Sequence, residues 1–392
     1  MKKRILITGT GVVSAIGNNC RECLDALQEG RSGISSVEYL KTDHKEYPVG
    51  EVKMSNEEIA RLLGISGERT YSRTALLGIL AVREALAAAR LNEQGLALIS
   101  GTTVAGMDMT EEAYPDRLSR AVLGGHDCGS NTNLIADHFG CFDFTSTVST
   151  ACSSALNAVI YGARLIEAGL RDIVVVGGTE ALSRFHLNGF KSLMILDEAP
   201  CRPFDATRAG LNLGEGAAYL VLESEPSAEK RGVRPMGELR GTGNACDAFH
   251  QTASSPEGEG AFRAMAEALK EAGLAPSEIQ YVNAHGTGTP NNDASETAAL
   301  RRIFGQEMPP VSSTKGLTGH TTSASGSIEA VFCLLALRHQ FIPRNHGFAA
   351  ADAECLAPYV GGPFDRPLRN VLCNSFGFGG NDSSIVIGAY GE

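Results

Sequence analysis

The sequence predicts a layered α/β protein built of two halves, and three observations carry that expectation. Short apolar runs rich in β-branched residues alternate with stretches of helical periodicity. A polar, charged stretch, ESEPSAEKRGVRP (223–235), interrupts the alternation, which then restarts. A chain of 392 residues with 43% hydrophobic content is long enough for two ordinary domains, each with a full core. The division falls near 225 and gives expected units of 1–225 and 226–392.

The opening run, RILITGTGVVSAIG, leads a strand into glycines in the manner of a dinucleotide-binding turn. Ser14 stands where the third glycine is required, and no clear acidic residue closes a strand about 20 residues on, so NAD binding is not expected. Cys20 and Cys23 form one C-x-x-C, but no second pair follows at zinc-ligand spacing; they read as helix residues. Next come a helix at REALAAARL (83–91), a strand at LALIS (96–100) and a strand over Phe144 to Val148. Leu156, Val159, Ile160 and Ala163 recur at helical spacing, and Gly169 closes that helix. DIVVVGG (172–178) and GAAYLVLE (216–223) are the next buried strands. After the interruption follow a helix at GAFRAMAEALKEAGL (260–274), a strand at IQYVNAHG (279–286), a helix at SGSIEAVFCLLALRHQ (325–340), and strands at NVLCNSFGFGG (370–380) and SSIVIGAY (383–390). No short repeat period runs through the chain.

The formal charge of −11 and the lack of a long basic run argue against a nucleic-acid partner. Ten scattered cysteines in a chain of this length do not make a disulfide framework, and reduced thiols in the cytoplasm are expected. The start, MKKRILITGTG, has neither a long apolar region nor a small-residue cleavage site, and no apolar stretch reaches the roughly 18 residues of a spanning helix.

Cys152 falls between the apolar run ending at Val148 and the helical run from Leu156. A free cysteine is most often a small core residue. At a strand-to-helix turn, however, Ser153 and Ser154 can cap the helix, and its unpaired N–H groups would favour a thiolate. Two other stretches gather reactive residues among glycines and threonines: NAHGTGTP with His285, and SSTKGLTGHTTSASGSIEA with Lys315, His320 and Glu329. Each histidine follows a strand-like run and precedes a flexible turn, where side chains are commonly presented to a site.

TACSSA, NAHGTGTP, STKGLTGH and NSFGFGG, in this order and with CRPFD (201–205) and LGEGAA (213–218), resemble the β-ketoacyl-acyl-carrier-protein synthases of the elongating Cys-His-His type, across essentially the whole chain. The resemblance implies a thiolase-like fold, two pseudo-equivalent halves in a five-layered α-β-α-β-α arrangement, normally a homodimer. It implies that Cys152 is the acyl-accepting nucleophile, that His285 and His320 stabilise the enolate left when a malonyl thioester loses carbon dioxide, and that the N–H groups of Cys152 and Phe378 form an oxyanion hole. No metal or redox cofactor is implied, the substrates being carried on the phosphopantetheine of an acyl carrier protein. Thr287 and Thr289 match positions that bind the pantetheine arm. Phe378 matches a gate opposed by the loop holding Phe204 and Asp205, and Val104 matches a residue of the acyl pocket. Arg208, with Arg69 and Arg73, is the expected docking patch for the acidic carrier. Lys315 and Glu329 are either a buried ion pair orienting the histidine loop or, in the sharper reading, a catalytic base and its partner.

Two departures bear on the substrate. Asn381 and Asp382 follow GFGG where the family usually carries threonine and asparagine, and the segment between Met107 and Asn133 is short and polar. A specialised synthase of an aryl-polyene or polyketide chain and a non-condensing chain-length-factor-like subunit are the alternatives. Thiolases, which use a second cysteine as base, fit the two histidines and the lysine less well.

Overall fold

A computed structural model describes residues 3–66, 70–364 and 366–391. The first part of the chain supplies β1 (Ile5–Ser14), β2 (Leu96–Gly101), β3 (Phe142–Val148), β4 (Ile173–Glu180) and β5 (Gly216–Ser224). The second supplies β6 (Gly237–Cys246), β7 (Tyr281–Asn283), β8 (Val311–Ser312), β9 (Asn370–Gly377) and β10 (Asn381–Gly388). Their order in space is β3-β2-β4-β5-β1-β6-β10-β9-β7-β8. Numbered within its own five strands, each part reads 3-2-4-5-1. Strands 3, 2, 4 and 1 of each run in one direction, and strand 5 alone, between 4 and 1, is antiparallel to its neighbours. The pseudo-equivalence of the halves is therefore plain in the topology, and the two sets join over only Ile5↔Leu239, Leu6↔Glu238 and Ile7↔Gly237.

Alternation along the strands builds the layers. Val174, Val176, Leu220 and Leu222 face a central core with Val371, Cys373, Ile385 and Ile387 from the other half. Between these two faces lie the helices Ser154–Glu167, through Leu156 and Val159, and Ser325–His339, through Ile328, Val331 and Phe332. The latter is apolar on every side and buried from Ser325 to Leu337, as a helix enclosed by two sheets must be. The intervening strand residues Leu98, Val175, Tyr219 and Val221 point the other way, onto the helix Arg73–Ala88. Val282, Leu372 and Val386 do the same in the second half, onto the helices Glu259–Ala272 and Pro290–Phe304. Two outer helical layers, two sheets and one inner helical layer make five, the expected thiolase-like arrangement. Among the described residues, no helix is long and apolar enough to cross a membrane.

Local details differ from expectation. Residues 223–235 include a helix, Glu225–Arg231, opened by Pro226 and closed by Gly232 at φ 62°. The strand expected over 279–286 shortens to Tyr281–Asn283, because the N–H groups of His285 and Gly286 bond the Glu296 carboxyl instead of a ladder. The helices Cys128–Phe139, Arg184–Ser192 and Pro290–Phe304 lie outside the expected set.

Candidate active site

Cys152 sits between β3 and the inner helix Ser154–Glu167, on a turn made by Ala151 at φ 51°, a left-handed conformation that alanine adopts only under constraint. The serines do not cap the helix as expected. Ser153 Oγ lies 2.8 Å from Thr150 O and 2.7 Å from Asn381 Oδ1, its one proton shared between these two acceptors, while Ser154 Oγ accepts the Thr150 N–H at 2.9 Å. Their hydroxyls fold the turn itself, and neither caps an N–H group of the helix.

His320 arrives from the corresponding place in the second half, the connection between β8 and the inner helix Ser325–His339. Its Nε2 lies 3.1 Å from Cys152 Sγ, and its Nδ1 lies 3.0 Å from Ser325 Oγ. His285, beyond β7, stands edge to face with His320 at 5.2 Å between ring centroids. Donor atoms of Cys152, His285 and His320 all fall within 4.8 Å of one another. Burial, then the Lys315 charge, holds both imidazoles well below the ordinary histidine range, so both are neutral at physiological pH. Burial also pushes the Cys152 thiol up to about 11, opposed by Lys315 and by a hydrogen bond from the Phe378 N–H. The resting group is a thiol and not the thiolate that the helix N-terminus alone suggested. Three soft donors at this spacing could in geometry hold a metal, but the Lys315 cation bears on all three and disfavours a second positive charge there.

Lys315 Nζ meets Glu329 Oε1 at 2.5 Å, both side chains almost fully buried. Burial pushes Glu329 up to about 7, with Lys315 pulling it down. The pair joins the start of the His320 loop to the inner helix, which favours the ion-pair reading, since breaking a buried pair strands a charge.

Cys152, His285 and His320 open on a cavity of about 240 Å³ that is also lined by Thr287, Thr289, Phe376 and Phe378. Thr287 and Thr289 share a hydrogen bond at 2.8 Å. The Phe378 ring stacks on Phe190, 5.9 Å between centroids.

Other expected residues lie elsewhere. Phe204, at φ 64°, packs in the outer core of the second half and backs Gly286, where an added Cβ would fall 2.9 Å from its ring. Asp205 accepts the N–H groups of Ala349 and Ala350; burial works against its charge, but these bonds and those from Thr207 hold it well below the usual carboxylate range. Phe204 thus backs the His285 loop, and neither residue lines the cavity. Val104 is likewise buried off the cavity, its N–H on Glu180. Arg73 and Arg208 correct the docking patch: Arg73 is buried in a bidentate pair with Glu215, and Arg208 is buried between Asp352 and Asp293, so neither offers its charge to a partner. Arg69 lies outside the described residues.

Several site residues escaped the sequence reading. Glu296 accepts from His285, Gly286 and Asn374, fixing the His285 loop, and burial pushes it up to about 7. Ser325 orients His320, and Asn381 ties Ser153 to β10. Glu296 had a sequence signal as one of two carboxyls, with Asp293, on the helix that follows the histidine turn, and Asn381 stood out only as a departure after GFGG.

The chain matches two family descriptions, "Beta-ketoacyl synthase, N-terminal domain" over residues 2–228 and "Beta-ketoacyl synthase, C-terminal domain" over 236–349. It is 34% identical to a Synechocystis protein described as 3-oxoacyl-[acyl-carrier-protein] synthase 2, covering 99% of each chain. Among solved structures it is similar to the ishigamide ketosynthase/chain length factor, with a TM-score of 0.92, 32% identity and 100% of both chains covered. It is also similar to a type II ketosynthase solved with its acyl-carrier protein and a hexaketide, with a TM-score of 0.88, 27% identity and 100% of both chains covered. With a thiol and two neutral imidazoles converging from the two halves, and with both halves matched, the chain belongs to the β-ketoacyl synthase family.

Proposed function

We propose that this protein is a 3-oxoacyl-acyl-carrier-protein synthase, elongating an acyl chain held on Cys152 by two carbons from a malonyl thioester. The observation that carries the reading is the 3.1 Å approach of His320 Nε2 to Cys152 Sγ beside His285, on a cavity whose other wall bears Thr287 and Thr289. Cys152 attacks the acyl thioester and expels the carrier thiol, the proton that leaves the Cys152 thiol ending on the departing sulfur. Malonyl thioester then enters along the threonines, and its carbon–carbon bond breaks to release carbon dioxide. The resulting enolate oxygen is met by Nε2–H of both histidines, a role that requires them neutral and fixed. The enolate carbon attacks the acyl-Cys152 carbonyl, whose oxygen is held by the Cys152 and Phe378 N–H groups; the carbon–sulfur bond breaks, and the expelled thiolate takes a proton from solvent to regenerate the thiol. The reaction draws on no cofactor beyond the carrier's phosphopantetheine. The chain acts in the cytoplasm as a homodimer, meeting the carrier through residues other than Arg73 and Arg208.

The test separates the two steps. Wild-type protein incubated with acyl-carrier thioester gains one acyl mass, and Cys152→Ala gains none. His285→Ala and His320→Ala keep the adduct and lose malonyl decarboxylation by roughly 10²- to 10³-fold. An adduct on Cys152→Ala, or decarboxylation undiminished in both histidine variants, overturns the reading.

A further inference from the structure

The buried carboxyl of Glu180, at the end of β4, has no Lys, Arg or His pairing with it among the described residues. It is instead the acceptor for five donors. Thr102 Oγ1 at 2.8 Å, the Thr103 N–H at 2.8 Å, the Val104 N–H at 3.2 Å and Thr103 Oγ1 all come from the loop after β2. The fifth, Ser323 Oγ, comes from the other half of the molecule. Ser323 lies in the short turn Thr322–Ala324 that connects His320 to its inner helix. That turn is constrained: Thr322 is held at φ 45°, a left-handed conformation that a β-branched residue takes only where its surroundings impose it. The close fit extends to Gly178, two residues before Glu180, where an added Cβ would fall 3.2 Å from Ser323 O and 2.7 Å from Ala155 Cβ. One carboxyl thus spans the first half's loops and the segment that aims His320.

We propose that Glu180 is a positioning residue: fixed on one side by Thr102, Thr103 and Val104, it holds Ser323, and through the constrained turn it sets His320 Nε2 at Cys152 Sγ. The proposal rests on the reading of His320 as a working group of the site. Removing either end of the Glu180–Ser323 bond then displaces the same imidazole, and the two removals are not independent.

A double-mutant cycle tests this, with Glu180→Gln, Ser323→Ala and the double variant measured in full-length protein. Two rates are followed: malonyl-carrier decarboxylation, and alkylation of Cys152 by iodoacetamide, which needs no substrate. Each single variant is expected to lower kcat by roughly ten- to a hundredfold with KM unchanged, the effect of a misplaced group, and to slow alkylation. The double variant is expected to be no slower than the worse single variant. Wild-type rates in Ser323→Ala, or losses that multiply in the double variant, overturn the proposal, and Ser323→Ala alone decides it where Glu180→Gln does not fold. If wild-type protein releases no carbon dioxide, the enzymatic reading fails, while the alkylation cycle still reports whether Glu180 positions His320.

Discussion

Asn381 and Asp382 replace the residues the family usually carries after GFGG, and they act differently. Asn381 Oδ1 accepts from Ser153, Asn157 and Asn244, joining the nucleophile's helix to β6 and β10. The Asp382 carboxyl is buried against Gly260 and Asp247, and burial, then Asp247 and Glu296, pushes it up to about 8. An unfolded aspartate titrates near 3.9. The folded chain therefore keeps a proton that the unfolded chain gives up, and the stability this group contributes is present below about pH 4 and lost as pH rises towards 8. Asp382→Asn removes that loss. Its urea midpoint is expected to gain on wild type steadily from pH 5 to pH 8, and a gap independent of pH would show the carboxyl to be solvated. At this scale the sequence pointed to Cys152, His285, His320 and the Lys315–Glu329 pair, because those types cluster in short distinctive stretches. It could not point to Glu180, whose partner Ser323 is 143 residues away and whose role exists only once two halves meet.

The elements bring the reactive groups together through the starts of the two inner helices. Gly326, in the first turn of Ser325–His339, faces Leu156 so closely that an added Cβ would lie 2.9 Å from Leu156 Cβ and 3.1 Å from its backbone N. Gly326→Ala forces the helix starts apart. It is expected to cost about 1–3 kcal/mol in thermal or urea unfolding, as overpacking does, and to slow Cys152 alkylation; unchanged values for both would mean the helices shift without consequence. The apolar runs announced β4 and β5, and helical periodicity announced the helix at 325–340, though not its enclosure between two sheets. The short β7 and the uncapped start at Ser153 were hidden: the Glu296 carboxyl takes the N–H groups of His285 and Gly286, and the Ser153 hydroxyl turns to Thr150 O and Asn381 Oδ1 instead of to the helix.

Across the whole molecule the two sheet ends are unlike. β8 is two residues long, whereas β3 presents seven residues with Asp143 and Thr145 exposed, and Tyr114, Leu118 and Leu123 stand exposed in the neighbouring 107–133 segment. A long free edge is a template for another chain. Sedimentation is expected to give twice the chain mass. Single prolines placed from Phe144 to Thr147 are expected to dissociate the dimer at alternate positions, where the N–H faces outward; a monomeric wild type would sink the dimer reading. Alternation and the charged stretch 223–235 suggested two halves, but only the strand order reveals that they share one topology, since no repeat runs through the sequence. Each half brings one inner helix to the centre, the first delivering sulfur and the second imidazole. A nascent or partly opened chain therefore holds a thiol with no imidazole beside it, or imidazoles with no thiol. Chemistry in this protein begins at the moment of closure, and its catalytic rate doubles as a gauge of how completely the molecule has been assembled.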